Sequence, residues 1–586
     1  MTDVLLINGM EFLHSNVLVP YIGHYILEKV LKEEHIDARQ LNIDMEIRTG
    51  RLRIPEDPEG IFEATADYIL SMSPRVVGFN TICNSFITAV QICMKIHVKA
   101  PEVRIIFGGP HATLTAEECL RDLDFLTLVC LGESEYSIVP VIRALLDNTP
   151  LDGVPGIAWR KDGKTVMNPC CELVPAERLT DYTVIDYGED FRELTIPHTI
   201  EGGRGCPFHC TFCSTSIFWQ RNFRIKPVDV LLGEMDRCHE KLGTVAFAIE
   251  HDMFTANRKT IVEFCNKLIE RGSPYYWKCS SRVDVLDEEL IELMARAGCV
   301  YMFLGIETGS ARMQKIIHKN LDLKNAAEMV KCLIRNRYTV SASFIYGFPE
   351  ETEEDFLESV RMLEELLLAG VDNLQFHPFM LLPGTEETAT VKDRAIFNER
   401  EVDFSIYNRR VINDESRALI RKYKDIFIQY YSFDSAVRKK YPWFEVIFAM
   451  TSLHWNNYKN TFAALTVKVG LAELYLKYED LFRDFYYRFN DYDYSDNTLQ
   501  IIRDALKKIV AAENDEELTE IFRYEDDLFG YAVSDCRDDL IREYRLDIGT
   551  DTGKCVYLPG RRQYLFRRGE GTKVRVIRVP DWMTVE

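Results

Sequence analysis

Over its first 145 residues the chain repeats one pattern: a short apolar run, then a longer stretch with apolar residues at helical spacing. The runs fall at 4–7, 41–44, 76–79, 104–107 and 127–131, and Ile22, Ile26 and Val30 mark a helix between the first two. Such runs predict strands, and strands alternating with helices predict a parallel sheet covered on both faces. Ligands of such sheets bind beyond the carboxyl ends of the strands. Small and polar residues collect there: Thr81 and Asn84 after the third run, Gly108-Gly109-Pro110-His111 after the fourth, Gly132-Glu133-Ser134-Glu135 after the fifth. Paired glycines let a backbone approach a bulky ligand closely; a tight strand-to-helix corner is the plainer reading.

Residues 151–195 read as a connector. Runs at 156–160 and 164–167 with Asp162-Gly163 between them predict a hairpin. Cys170-Cys171 follows without other ligands nearby, so a surface or core role is expected for it. From 196 the alternation restarts, with strands predicted at 198–201, 246–250, 277–281, 301–306, 341–346 and 373–379 and helices such as 228–241 and 287–297. Six such units predict a partial barrel with its chemistry at the carboxyl ends of the strands. Those ends carry Glu250-His251-Asp252, Ser281-Arg282, Gly305-Ile306-Glu307-Thr308-Gly309, Gly347-Phe348-Pro349 and His377-Pro378.

Beyond 390 the pattern is mostly helical over 412–530. Leu471, Leu474, Tyr475, Tyr478, Leu481, Phe482 and Phe485 form a core-facing stripe. Near the end, Arg561, Arg562, Arg567, Arg568, Lys573, Arg575 and Arg578 surround a predicted hairpin with Gly569-Glu570-Gly571 at its tip. This is a charged edge guarding a strand, or a grip for an acidic substrate or peptide.

The expected organisation is therefore α/β: a Rossmann-like domain over 1–150, a linker with a β-hairpin over 151–195, a partial barrel over 196–390, and a mostly helical capping domain over 391–586. Composition changes this picture little. The 586 residues are 47% hydrophobic and 28% charged, as in ordinary globular chains. The net charge of −22 speaks against a nucleic-acid partner. The 16 cysteines lack the pattern of a disulfide framework, which points to a reducing compartment. With no basic, apolar leader and no run of the roughly 18 apolar residues a membrane span needs, a cytoplasmic protein is expected.

Three cysteines stand apart. Cys206, Cys210 and Cys213 lie in Glu-Gly-Gly-Arg-Gly-Cys-Pro-Phe-His-Cys-Thr-Phe-Cys, spaced C-x3-C-x2-C. Soft thiolates suit iron–sulfur clusters or zinc. Structural zinc sites and electron-carrying clusters want four protein ligands; a [4Fe-4S] cluster on three leaves one iron open. A partial zinc site or three buried thiols is the alternative. With Phe212 ahead of the last cysteine, the run resembles the signature of radical S-adenosylmethionine enzymes. The resemblance implies an open iron that chelates the amino and carboxylate groups of S-adenosylmethionine, a one-electron reductant of flavodoxin or ferredoxin type, and a 5′-deoxyadenosyl radical. It implies that Glu307 contacts the ribose hydroxyls, that Ser281 and Arg282 meet the carboxylate side, and that Phe212 flanks the adenine. Asp252 joins that set or caps the following helix. His251 and His377 are candidate general bases, or polar lining residues.

In order and spacing, residues 1–145 resemble the cobalamin-binding domain that precedes many such barrels. The nucleotide tail would then lie along the sheet ends, against Thr81, Asn84, Gly108, Gly109, His111, Gly132, Glu133 and Ser134. The D-x-H-x-x-G motif of the wider cobalamin family is absent, since Asn8-Gly9-Met10-Glu11-Phe12-Leu13-His14 does not fit it. No protein ligand below the cobalt is therefore implied; His14 and His111 are neighbours or hydrogen-bonded core histidines. The resemblance, over about 1–390, implies a cobalamin-dependent radical enzyme that methylates an unactivated carbon of a natural product, peptide or similar substrate through methylcobalamin. The alternatives are non-methylating rearrangement or cyclisation on the same scaffold, and a non-catalytic iron–sulfur or corrinoid-binding protein. Cys536 and Cys555 are too few for a second cluster.

Overall fold

The computed structural model describes residues 2–10, 20–55, 58–194, 197–397, 399, 412–441, 444, 458, 460–481, 496–535, 563–566 and 575–578. His14, Phe482, Phe485, Cys536, Cys555 and the tip of the terminal hairpin lie outside them. The chain divides into two compact units: Met1–Gly243 with Glu250–Asp252 and Met380–Asp434, and Thr244–Ile249 with Met253–Phe379 and Ser435–Glu586.

The first unit is built on a seven-stranded sheet. Its strands are β1 (Thr2–Asn8), β2 (Ala38–Leu41), β3 (Pro74–Asn80), β4 (Arg104–Gly108), β5 (Leu126–Cys130), β6 (Ile157–Lys161) and β7 (Lys164–Met167), in the order β2-β1-β3-β4-β5-β6-β7. β1 to β5 pair in parallel. One face carries aliphatic side chains, with Val4, Leu6, Val76, Ile106 and Leu128 packed on Ile138, Val141 and Ile142. Aromatic rings pack elsewhere in the same core, Phe107 meeting Phe79, Phe86 and Phe125 edge-on.

Two expectations shift. The second strand ends where the apolar run at 41–44 begins. Asn42 caps a helix over Ile43–Arg48 by accepting the Met45 N–H, and Asp44 and Glu46 favour its first turn. The hairpin expected in the connector is present, and it extends the sheet: β6 runs antiparallel to β5, with Val129 opposite Ala158.

Three short strands follow in the first unit: β8 (His198–Glu201), β9 (Gly203–Arg204) and β10 (Arg224–Ile225). β9 and β10 pair antiparallel. The strands of the second unit are β11 (Ala246–Glu250, its last residue counted with the first unit), β12 (Tyr276–Ser281), β13 (Cys299–Glu307), β14 (Thr339–Tyr346) and β15 (Asn373–Pro378). They are all parallel, each paired to the next. The helices between them start on polar caps. Thr352 and Asp355 close a reciprocal capping box at the head of Glu353–Ala369. Trp277 packs on Phe254 and Phe264, and Phe356 stacks on Phe376 and Tyr441.

β16 (Ile396–Phe397) and β17 (Tyr431–Ser432) form a small ribbon in the first unit. In the second, Leu471, Leu474 and Tyr475 are buried on the helix Leu471–Lys477, as their stripe predicts. Longer helices run over Asp496–Glu513 and Glu516–Asp535, and β18 (Gln563–Phe566) pairs antiparallel with β19 (Arg575–Arg578).

Candidate active site

The cysteine loop springs from the β9–β10 ribbon, which sets Arg204 opposite Arg224 at its neck. Gly205 turns the chain into the loop at φ +85°, where a Cβ would overlap the Asn222 carbonyl oxygen, so only glycine closes this neck. The Gly205 N–H donates to Asp252 Oδ2 at 3.1 Å. At the far side the Thr211 hydroxyl donates to Glu387 Oε1 at 2.7 Å, and the Glu387 N–H returns a bond to the Thr211 carbonyl. Phe212 is half-buried between these anchors and Cys213.

Asp252 thus holds the loop neck. It caps no helix, since Asn257 caps the next one. His251 is corrected more sharply. It is buried, stacks on Phe223 at 5.0 Å with 20° between the rings, and burial lowers its pKa to about 4. It supports the loop and is not open to a substrate.

None of the three thiols is in a disulfide; all are partly exposed, and Cys213 and Cys210 lie close enough to act electrostatically on Cys206. Burial first, then the nearness of Cys213 and Cys210, pushes the Cys206 thiol up to about 11. Among the described residues no three His, Cys, Asp or Glu side chains are placed to hold a metal ion. Three thiolates on one short loop suit a cluster, which offers each its own iron.

In the second unit, β13 ends in a bulge between Gly305 and Glu307, and Glu307 sits at φ +70°. Bulges and left-handed non-glycine residues cost energy and collect at functional sites. Glu307 Oε1 accepts from Lys319 Nζ at 2.6 Å, both side chains nearly buried. The turn that offers Lys319 is itself left-handed at His318 and Asn320. Gln314 holds it, donating to the Ile306 and Thr308 carbonyls and accepting the Leu321 N–H. Arg282 grips Asp284 through two nitrogens and donates to the Lys319 carbonyl at 2.6 Å. The Ser281 hydroxyl lies 2.6 Å from Thr255 Oγ1 and donates to the Arg282 carbonyl. Arg282 and Ser281 therefore brace the strand ends, and much of their bonding capacity is already used. His377 is solvent-exposed at the end of β15, near Glu307; crowding by protein atoms lowers its pKa against the pull of that carboxylate.

At the ends of the first sheet the expected ligand set splits. Asn84, Gly108, Gly132 and Ser134 are partly exposed. Thr81 is buried, donating to the Gly108 carbonyl and accepting the Ala112 N–H. Gly109, at φ +90°, is needed because a Cβ would overlap Asn80. His111 is a satisfied core histidine. Its Nε2 bonds the Ile426 carbonyl at 2.8 Å, its Nδ1 lies 3.3 Å from Cys83 Sγ, and its ring packs on Phe86. Glu133 is also committed inward, to Arg204, Arg224 and the Val174 N–H. Thr81, His111 and Glu133 are thus buried and bonded within the corner, while Gly109 is partly exposed like Gly108.

Residues 200–363 match the Radical SAM superfamily model, a stretch of sequence that includes both the cysteine loop and the end of β13. The chain carries a radical S-adenosylmethionine domain. Around that domain the chain is similar to an uncharacterized methyltransferase of Pyrococcus horikoshii, 26% identical over 371 residues, or 62% of this chain and 77% of that protein. It is also similar to the anaerobic magnesium-protoporphyrin IX monomethyl ester cyclase of Rubrivivax gelatinosus, 26% identical over 51% of this chain and 55% of the cyclase. Among solved structures it shares its fold with the cobalamin-dependent S-adenosylmethionine radical enzyme OxsB with aqua-cobalamin bound. The TM-score is 0.57 at 15% identity, over 94% of this chain and 84% of that one. Among the described residues no helix is long and apolar enough to cross a membrane.

Linear pattern located the cysteines and Glu307 but missed Lys319, Gln314, Arg204 and Arg224 as site residues. Arg204 stood inside the quoted run without a role. Lys319 had no signal, because its partner lies twelve residues away across a turn.

Proposed function

We propose that the chain is a cobalamin-dependent radical S-adenosylmethionine methyltransferase acting on a small-molecule or peptide substrate. The observation that carries this reading is the loop of three thiols, pinned at its neck by Asp252, in a unit whose parallel sheet leaves Asn84, Gly108, Gly132 and Ser134 partly exposed at its carboxyl ends. The methyltransferase name of one relative and the cobalamin of the OxsB structure support it.

When bound, a [4Fe-4S] cluster supplies an electron and a docking point for the sulfonium, and cobalamin supplies a methyl carrier. The chain's own groups do the rest. Cys206, Cys210 and Cys213 would each hold one iron. Glu307, oriented by Lys319, accepts from the ribose hydroxyls through Oε2. Phe212 flanks the adenine beside Cys213. The electron enters from a flavodoxin- or ferredoxin-type donor, and the helical residues of the second unit select the substrate.

A second reading is favoured by the relatives named as cyclases: radical ring closure on the same scaffold without methyl transfer. Product analysis on anaerobically reconstituted enzyme with candidate substrates separates the two. S-adenosylhomocysteine formed with a product heavier by one methylene unit supports methylation. 5′-Deoxyadenosine without S-adenosylhomocysteine overturns it in favour of cyclisation or rearrangement.

A further inference from the structure

We propose that Glu133 couples the loop after β5 to the loop that carries the three cysteines; the inference rests on the placement of cobalamin at that corner. The two loops meet through one buried cluster of charge. The β9–β10 ribbon is two residues long and sets Arg204 directly opposite Arg224. Like charges at opposite ribbon positions repel, and these two residues are only 5% and 7% exposed.

Glu133 resolves the conflict by standing between them. Its Oε1 accepts from Arg204 Nη1 at 2.7 Å and its Oε2 from Arg224 Nη1 at 2.8 Å, and Oε2 also accepts the Val174 N–H at 2.7 Å. Glu135 adds a second carboxylate 2.6 Å from Arg204, and Glu201 a third at 2.7 Å. Arg224 packs over Trp219, and its Nε and Nη2 are buried with no acceptor among the described residues. Its Nη1 also donates to the Val174 carbonyl at 2.5 Å, but Glu133 is its only ion-pair partner among the described residues.

Placement makes this a coupling as well as a brace. Arg204 stands two residues before Cys206, at the neck of the cysteine loop. Glu133 is flanked by Gly132 and Ser134, both partly exposed. Gly132 sits at φ +66°, and a Cβ there would meet nothing within 4 Å, so the backbone at this corner faces open space. A ligand that moves residues 132–134 moves the Glu133 carboxylate. Arg224, buried and without another ion-pair partner among the described residues, is strongly destabilised when that carboxylate moves, while Arg204 falls back on Glu135 and Glu201. Occupancy of one loop is therefore felt at the other, and reciprocity requires the converse. Glu133 is a positioning residue for both.

The test uses the full chain with hydroxocobalamin as probe. Its dissociation constant is measured by equilibrium dialysis on anaerobically reconstituted protein and on the same protein stripped of iron. Coupling predicts constants that differ by about fivefold or more between the two forms. Glu133→Gln removes that difference, and Glu133→Asp, which keeps the charge, restores part of it. Equal binding in both forms of the wild type overturns the coupling. A Glu133→Gln protein that keeps the wild-type difference overturns it too, leaving the network as a brace. Should Glu133→Gln fail to fold, Arg204→Lys takes its place, with a reduced difference expected and an unchanged one contradicting. If the wild type binds no hydroxocobalamin in either form, the cobalamin reading itself falls.

Discussion

Gly305 shows how little room the mouth of β13 leaves. A Cβ there would overlap Glu307 Oε1 and lie 2.8 Å from Lys319 Nζ. Both atoms end flexible side chains, but both are nearly buried and bonded to each other, so they cannot swing away freely. Gly305→Ala is expected to lower the melting temperature modestly, as overpacking by about 1–3 kcal/mol does, and to weaken S-adenosylmethionine binding about tenfold, roughly the loss of one charge-assisted hydrogen bond. Calorimetric titration checks this, and unaltered affinity counts against Glu307 as a ribose contact.

Glu351 belongs to the same scale. Its carboxyl is buried; one oxygen takes the Gly347 N–H, and the other has no partner among the described residues. Burial pushes its pKa up to about 8. The folded protein then holds a proton that the unfolded chain releases near its ordinary value of 4.5. Stability from this group is full below that value and is lost as pH rises toward 8. At about 1.4 kcal/mol per unit, the loss is about 5 kcal/mol at most. Glu351→Gln keeps an acceptor for Gly347 and should flatten this fall, so that urea titrations show the variant more stable than the wild type at pH 8. A variant that loses stability equally across the range would sink the assignment.

At the scale of elements, the neck of the cysteine loop is the sensitive part. Asp252→Ala leaves the buried Gly205 N–H without its acceptor, a cost of about 2 kcal/mol. Reconstitution should yield fewer irons per chain by metal analysis while far-ultraviolet circular dichroism stays unchanged. Most strands were legible because their apolar runs are short and bounded: β8 and β11 lie where the pattern places them, and β13 and β14 gain only a residue or two at their ends. The run at 41–44 misled because Asn42 breaks it. An asparagine ahead of Asp44 and Glu46 is a helix start, and the cap outweighed the apolar pattern. The hairpin at β6 and β7 was legible as a hairpin, but its pairing with β5 depends on residues some thirty positions away.

At the scale of the whole molecule, what stayed hidden was long-range. The bond from Arg204 to Glu133 spans 71 residues and that from Arg224 spans 91, and no local periodicity encodes either. His111 and Thr81 looked like ligand residues because they are polar and sit at strand ends. The fold turns them inward to satisfy one another's loops. The cysteines needed no tertiary information, since their chemistry is set by spacing within one loop.

The central claim is that three thiolates hold a cluster able to reduce S-adenosylmethionine. Its most direct test compares wild-type protein with Cys210→Ala, both reconstituted anaerobically and incubated with S-adenosylmethionine and dithionite, with 5′-deoxyadenosine measured by mass spectrometry. The account predicts release by the wild type and none by the variant. Release by both, or by neither when the wild type carries four irons per chain, would contradict it.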